Sequence, residues 1–498
     1  MPPRIISKLN AFSVLTFTLI ISGCIGTGGI APQGQALAPD ALATDAAIQA
    51  AAQDAHWPAA QWWQGYADPQ LDRWIHTAID ASPNMAAALA RVRQARAMAG
   101  VSQAAQGLQV NGKATLDRHN WPADQFYGPG ELSGATTWDN NAGIGLSYAL
   151  DLWGRESNAT EQAVDLAHQS VAQARQAQLE LTNNIVRVYI ELSLDYAQRD
   201  IAQATLAQQQ QILDLAQRRL QGGIGTHFEV SQAQTPLPET HRQIDALDEA
   251  IALSRNQLAA LAGKGPGEGA QLQRPTLTLA APVPLPSALP AQLLGQRPDV
   301  VAARWQVAAQ ARGIDVVHAG FYPNVDLSAS FGYMATGGSL LGFLTGTKSS
   351  YTAGPAITLP IFDAGRLRAQ LGAASAGYDL AVAHYNQTLV EALKDISDQL
   401  IRRESMAKQQ GFAAQSVASA QKTYDIALIA YQRGLTDYLN VLNAQTLLFH
   451  ERQIEQQVQA ARLTAHANLV TALGGGLQAG NDAAPDACGS KPCLRRGL

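Results

Sequence analysis

The chain has 498 residues and a net charge of −5, and only 15 % of its residues are charged, against about 25 % in an ordinary soluble domain. A mean hydropathy of −0.08 excludes a bundle of membrane-spanning helices, and the length allows several domain-sized units. There is no strong basic field, which argues against a nucleic-acid partner.

The first residues read as an export signal. Arg4 and Lys8 supply the positive start, and Ala11 to Ile21 is an apolar stretch too short to span a membrane as a helix. Ser22-Gly23-Cys24 follows and resembles the lipobox of bacterial lipoproteins, with Ile21 in place of the usual Leu. This predicts a signal over 1–23 and lipidation of Cys24. Ile25 is not the Asp that retains lipoproteins in the inner membrane, so outer-membrane sorting of a lipid-anchored segment, 24–60, is expected.

The rest of the chain is an internal duplication. Gly223-Ile224-Gly225-Thr226-His227-Phe228-Glu229-Val230 lines up without a gap with Gly434-Leu435-Thr436-Asp437-Tyr438-Leu439-Asn440-Val441, and Gly154-Arg155 recurs at the same separation as Gly365-Arg366. The repeats are placed at 61–263 and 298–476, with a Pro-rich connector at 264–297 and a flexible tail at 477–498. Cys488 and Cys493 in the tail permit a small disulfide loop or two free thiols.

Each repeat runs in the same order. A helix opens it, Ser82-Pro83 being a good cap and first position for the first one. Two alternating segments come next, about 108–119 and 139–151 in the first repeat and about 323–334 and 350–362 in the second. Ala142, Ile144, Leu146 and Tyr148 interleave with Gly143, Gly145 and Ser147; Val325, Leu327, Ala329 and Phe331 interleave with Asp326, Ser328 and Ser330. At about 10 residues each, these have the length of transmembrane strands with one lipid face and one wet face. Pro355 lacks a backbone donor and is expected at an edge or a bulge. Four strands do not close a barrel, a dimer supplies too little bore, and three chains supply twelve strands, so a homotrimer is expected.

Two long helices end each repeat, about 155–222 and 226–262, then about 365–433 and 436–473. Glu156 to Gln221 contains neither Gly nor Pro, enough for about 100 Å of helix. Leu181, Ile185, Val188, Leu192 and Tyr196 form a heptad-like stripe. Pro236 and Pro238 fall inside the helix after the first turn and are expected to disturb it. Gly223 and Gly434 mark the turns between the long helices.

No catalytic constellation is present. The ten His lack metal-ligand spacing, and the glycines around Gly223 lack the Lys and the preceding strand of a phosphate loop. The fold class expected is mainly α with membrane β, in a channel and not an enzyme, without cofactor or metal.

These residues resemble the TolC-like outer-membrane efflux family, in its lipoprotein branch of NodT and OprM type. The resemblance rests on Trp62-Trp63, Asp68-Pro69, Leu71-Asp72, Leu150-Asp151-Leu152-Trp153-Gly154-Arg155, Arg297-Pro298-Asp299, Phe321-Tyr322-Pro323, Pro360-Ile361-Phe362-Asp363-Ala364-Gly365-Arg366 and Leu473-Gly474-Gly475-Gly476. His56-Trp57-Pro58 through Leu71 and Tyr431 to Thr436 look most like MdtP-type drug-efflux and fusaric-acid-resistance lipoproteins.

The resemblance implies a trimeric duct of drugs or aromatic acids, with a long α-helical barrel joined to a shared transmembrane β-barrel, carrying only diacylglycerol and an N-acyl chain on Cys24. It implies a periplasmic adaptor and an inner-membrane pump, of RND or fusaric-acid-resistance type, as partners. A duct for type I protein secretion is the alternative. Gly223, Ile224, Tyr431, Gly434 and Leu435 are the expected adaptor-contacting tips, with Ile224, Leu435 and Tyr431 exposed. The family pattern Asp-Val-Leu-Asp after the second tip reads Asn440-Val441-Leu442-Asn443 here. Asn440, Asn443 and Glu229 are therefore the expected pore constriction, with amides replacing most of its carboxylates.

Overall fold

A computed structural model of the protein describes residues 26–38, 42–43, 48, 58–123, 134–279, 296–336 and 339–476. The signal, Cys24, most of the connector, and the tail with Cys488 and Cys493 lie outside the described residues. The chain divides into two compact units, one built from 1–36, 92–169 and 303–385, the other from 37–91, 170–302 and 386–498. Both units draw on both repeats, so the repeats are not themselves the compact units.

The elements in chain order are a 3-10 turn (Trp62–Tyr66), α1 (Pro69–Ala81), α2 (Pro83–Ala105), β1 (Gln109–Asn120), β2 (Thr136–Leu150), α3 (Arg155–Gln221), α4 (His227–Gln234), α5 (Pro236–Leu261) and a short α6 (Pro266–Gly269). They continue with α7 (Pro298–Ala319), β3 (Asn324–Thr336), a 3-10 turn (Gly346–Lys348), β4 (Ser349–Thr358), α8 (Arg366–Gln432) and α9 (Tyr438–Ala472). β4 stops short of the expected residue 362, since Leu359-Pro360 follows and proline has no N–H for a ladder. α1 lies in a stretch the sequence left without a helix; the Asp68 carboxylate accepts from the N–H groups of Gln70 and Leu71, and Pro69 opens it.

The first unit holds a four-stranded antiparallel sheet in the order β1-β2-β3-β4. Its register separates two faces. Val110 pairs with Leu146, Leu146 with Ala329 and Ala329 with Ala353. One residue along, Asn111 pairs with Gly145, Gly145 with Ser330 and Ser330 with Thr352, the last two hydroxyls lying 2.9 Å apart. One face is thus mainly apolar, Asn140 and Arg118 being exceptions near its loop end, and the other carries small polar groups. Pro355 sits on the edge strand β4 opposite Leu327.

The first unit also straps its N-terminal segment to α8. The Asp379 carboxylate accepts from the N–H groups of Gln33 at 2.8 Å and Gly34 at 2.6 Å, and Arg368 Nε donates to the Gly26 carbonyl. Ile30 packs there against buried Phe321, Leu367 and Leu371.

In the second unit the largest core joins Trp62, Trp63, Tyr66, Leu71 and Ile75 to Ile185, Tyr189, Leu192, Leu258, Leu463 and Val470. The N-terminal motif therefore earns its residues by packing: Trp63 Nε1 donates to Asp72, and Tyr189 Oη donates to Asp68. Tyr66 Oη donates to the Leu463 carbonyl, with His466 Nδ1 at 3.1 Å. The Arg297 guanidinium of the Arg-Pro-Asp motif is buried; it forks onto Asp299 and donates to the carbonyls of Ala392 and Ala472, tying the start of the second repeat to its last helix.

The expected disturbance at Pro236 takes a mild form. α4 ends and α5 begins around Thr235, whose backbone stays helical (φ −57°, ψ −43°). Pro236 and Pro238 then occupy the first turn of α5, where N–H groups have no intrahelical partner anyway. The Thr240 hydroxyl bridges Pro236 O and Gln209 Oε1, holding α5 against α3.

Candidate functional site

The candidate site has two parts, the two-faced sheet and the pair of helical turns. Residues of the apolar face are exposed, Ile144 by 55 %, Phe331 by 56 % and Tyr351 by 81 %. An exposed apolar face of this size on a sheet demands a non-aqueous partner. Where the strands meet helices, the Asp151 carboxylate accepts from Glu156 N and Ser157 N, and Asp363 accepts from Gly365 N and Leu367 N. These two caps turn the chain from strand to helix at matching places in the repeats. Trp153 stacks on Tyr322 with ring centroids 4.7 Å apart and donates to the Pro323 carbonyl.

The duplication is visible in the hydrogen bonds of the turns. Gly223 N donates to Leu220 O and Ile224 N to Arg219 O; the same two bonds recur from Gly434 N to Tyr431 O and from Leu435 N to Ala430 O. Gly223 (φ +71°) and Gly434 (φ +74°) hold the left-handed position that closes each helix. The helices that follow start differently. Thr226 and Glu229 form a reciprocal capping box, whereas Asp437 caps α9 by accepting from Asn440 N. The Thr-x-x-Glu spacing was present in the sequence and identifies this cap.

Ile224 and Leu435 are 71 % and 76 % exposed, and Phe228, which sequence reasoning passed over, is 69 % exposed. Tyr431 corrects the expectation: it is wholly buried. Its ring lies 4.9 Å from the Arg219 guanidinium and 6.0 Å from the Tyr438 ring, within a core that includes Ile212, Ala216, Tyr424 and Val441. Burial raises its hydroxyl above the ordinary range, helped by Glu229 and opposed by Arg219; burial with Tyr431 and Tyr424 pushes Tyr438 up to about 12. Tyr431 therefore holds the tip together from inside and presents nothing to a partner.

Asn440 and Asn443 are both exposed, while Val441 between them and Ala444 after them are buried. The Asn440 carboxamide nitrogen donates to Thr436 Oγ1 at 2.7 Å and to Asp437 Oδ1 at 2.9 Å. Glu229 Oε2 accepts from Thr226 N at 2.9 Å. Two of the three expected constriction residues thus complete helix starts in the protomer. Among the described residues no group of three or more His, Cys, Asp or Glu could hold a metal ion, and no helix is long and apolar enough to cross a membrane.

The profile of the family described as outer membrane efflux protein matches residues 74–264 and 289–475. The chain is 45 % identical over 478 residues to the fusaric acid resistance protein FusA of Burkholderia cepacia, covering 95 % of this chain and 89 % of that one. It is 29 % identical to the multidrug resistance outer membrane protein MdtP of Shigella flexneri, covering 96 % and 98 %. Its structure is similar to that of the outer membrane protein VceC of Vibrio cholerae, with a TM-score of 0.79 at 32 % identity over 85 % of this chain and all of that one.

Proposed function

Because the chain belongs to the outer membrane efflux protein family, we propose that it is the exit duct of a tripartite pump that expels small toxic compounds such as aromatic acids. Channels of this family are outer-membrane homotrimers that work with an adaptor and an inner-membrane pump. The two-faced sheet carries the reading: four strands with a lipid face and a wet face are one third of a twelve-stranded barrel wide enough to conduct. Aromatic acids are favoured as cargo by the identity with a fusaric acid resistance protein.

On this reading Cys24 carries the lipid. Gly26, two residues later in sequence, is held by Arg368 in the first turn of the helix that follows β4, which suits an anchor at the end of a membrane strand. Ile224, Leu435 and Phe228 meet the adaptor, while Asn440, Asn443 and Glu229 narrow the pore. The partner pump is of fusaric-acid-resistance or RND type.

The test pairs a conductance recording with a resistance assay. Purified protein in a planar bilayer opens discrete channels, and deleting its gene lowers the fusaric acid concentration that stops growth, reversed by the gene in trans. Absence of channels removes the duct reading. Channels with unchanged small-molecule resistance but a lost secreted protein transfer the duct to type I secretion.

A further inference from the structure

The two hairpin loops of the sheet differ in chemistry. The β1–β2 loop, between Asn120 and Thr136, carries Asp124 and Glu131. The β3–β4 loop reads Gly337-Gly338-Ser339-Leu340-Leu341-Gly342-Phe343-Leu344-Thr345-Gly346-Thr347-Lys348, with Lys348 its only charge. A loop in water has no use for three leucines and a phenylalanine in five residues. Leu340, Leu341 and Leu344 are nonetheless 41 %, 63 % and 53 % exposed, while Phe343 is buried.

The place where this loop rests is settled by Asn140. In register it pairs with Leu116 on β1 and Ala335 on β3, so it belongs to the apolar face. Its cross-strand neighbour Leu116 and Ile144, further along the same strand and face, are 48 % and 55 % exposed, yet Asn140 is 1 % exposed and Ala335 7 %. Asn140 Nδ2 donates to the Leu340 carbonyl at 2.7 Å. The loop is therefore folded down over the apolar face, covering the one amide in that row. It is also internally bonded: Gly342 N donates to Ser339 O, Leu344 N to Leu341 O and Lys348 N to Thr345 O. An irregular backbone exposed to lipid is not tolerated within the hydrocarbon, so the backbone of this loop belongs at the headgroup level and only its side chains reach the acyl chains.

We infer that the β3–β4 loop is a lipid-contacting wedge at the membrane interface, with the side chains of Leu340, Leu341 and Leu344 reaching the acyl chains of the outer leaflet beside the barrel. The inference rests on the reading of the sheet as a barrel wall. Its occupant follows from continuity, since the loop extends the same face that meets lipid along Ile144, Phe331 and Tyr351. Asn140 fastens the wedge: off lipid, an amide in that row would find water, but in lipid it needs the Leu340 carbonyl and the loop above it. The wedge sets how high the barrel rides, because exposed Lys348 marks where water begins.

The experiment uses full-length protein carrying Cys488→Ser and Cys493→Ser, reconstituted in phospholipid vesicles. A nitroxide is attached at Leu341→Cys and, in separate samples, at Ile144→Cys on the apolar face and Ser330→Cys on the polar face. Collisions with oxygen, which concentrates in lipid, are compared with collisions with a water-soluble nickel chelate. The expected result is that Leu341 matches Ile144, oxygen prevailing, and both oppose Ser330. Nickel prevailing at Leu341 while oxygen prevails at Ile144 overturns the wedge and leaves the barrel standing. Nickel prevailing at Ile144 as well removes the barrel reading itself. Adding Asn140→Ala is expected to loosen the loop and raise nickel access at Leu341; unchanged access denies Asn140 its fastening role.

Discussion

Arg219 lies over Tyr431 with its guanidinium carbon 4.9 Å from the ring centroid, and it also reaches both turns, donating to the carbonyls of Tyr431 and Ile224. One side chain thus joins the first helical turn to the second. A cation over an aromatic face contributes about 0.5–2 kcal/mol, and two shared carbonyls add to that. Arg219→Ala is expected to loosen the paired tips and raise the basal conductance of the reconstituted channel. Tyr431→Ala should go further and destabilise the chain by about 3 kcal/mol, as for other buried aromatics. Thermal melting of both variants, together with single-channel recording, checks this; a Tyr431→Ala protein as stable as the parent would contradict the buried placement.

Leu435 and Ile224 test the outward side of the same tips. Both are exposed, so Leu435→Asp and Ile224→Asp should change stability by no more than about 0.5 kcal/mol. Efflux is expected to fall because a charge replaces apolar contact with the adaptor. Normal trimer yield and melting with reduced resistance is the predicted pair of results. Unaltered resistance in the double variant excludes these side chains from the docking surface.

Asn440 and Asn443 predict a constriction that holds multivalent cations poorly, because such ions prefer charged oxygen ligands. The wild-type channel should resist block by a trivalent cation added from the periplasmic side. Asn440→Asp with Asn443→Asp should create that block. Asn440→Asp alone also replaces an amide bonded to Asp437 by a second carboxylate, so it should weaken the start of α9. Block of the wild type that survives Glu229→Gln would place the constriction elsewhere.

His466 predicts an acid response. Burial, with Arg403 and Arg462 nearby, pushes its pKa from 6.5 down to about 4. The folded chain therefore refuses a proton that the unfolded chain accepts. This costs nothing above pH 6.5, and stability falls as pH drops from 6.5 toward 4, by up to about 3 kcal/mol per chain. His466→Gln keeps a donor for Tyr66 and removes the titration. Its melting temperature should fall less than the parent's between pH 7 and pH 4.5; parallel falls would assign the acid response to other groups.

Cys24 predicts the modification. Two or more acyl chains anchor firmly where one is marginal. Mass spectrometry of the mature N-terminus should find Cys24 first and acylated. Cys24→Ser should abolish the lipid while leaving channel formation in place, because the strands carry their own lipid face. A mature N-terminus at another residue removes the anchor.

The sheet and the long helices were legible in the sequence because their signals are local. Alternation at Ile144, Leu146 and Tyr148 writes a strand into any short window. The Gly- and Pro-free run from Glu156 to Gln221 writes a helix, and Gly223 and Gly434 mark where helices stop. The repeat made each signal count twice. The face of each strand residue was legible too, since alternation assigns it, but a two-residue slip keeps the faces and so the pairing register came from the structure.

The roles of single side chains were decided by tertiary structure. Tyr431 looks like any residue beside a turn, and only the arrival of Arg219 and Tyr438 from other helices buries it. Asn440 looks like a free amide until Asp437 and Thr436 take its hydrogens, and Asn140 looks like a break in an apolar row until the loop folds over it. Strand and helix periods repeat every few residues and are set by the chain's own backbone. Burial depends on which distant segments arrive, and no short stretch of sequence contains that information.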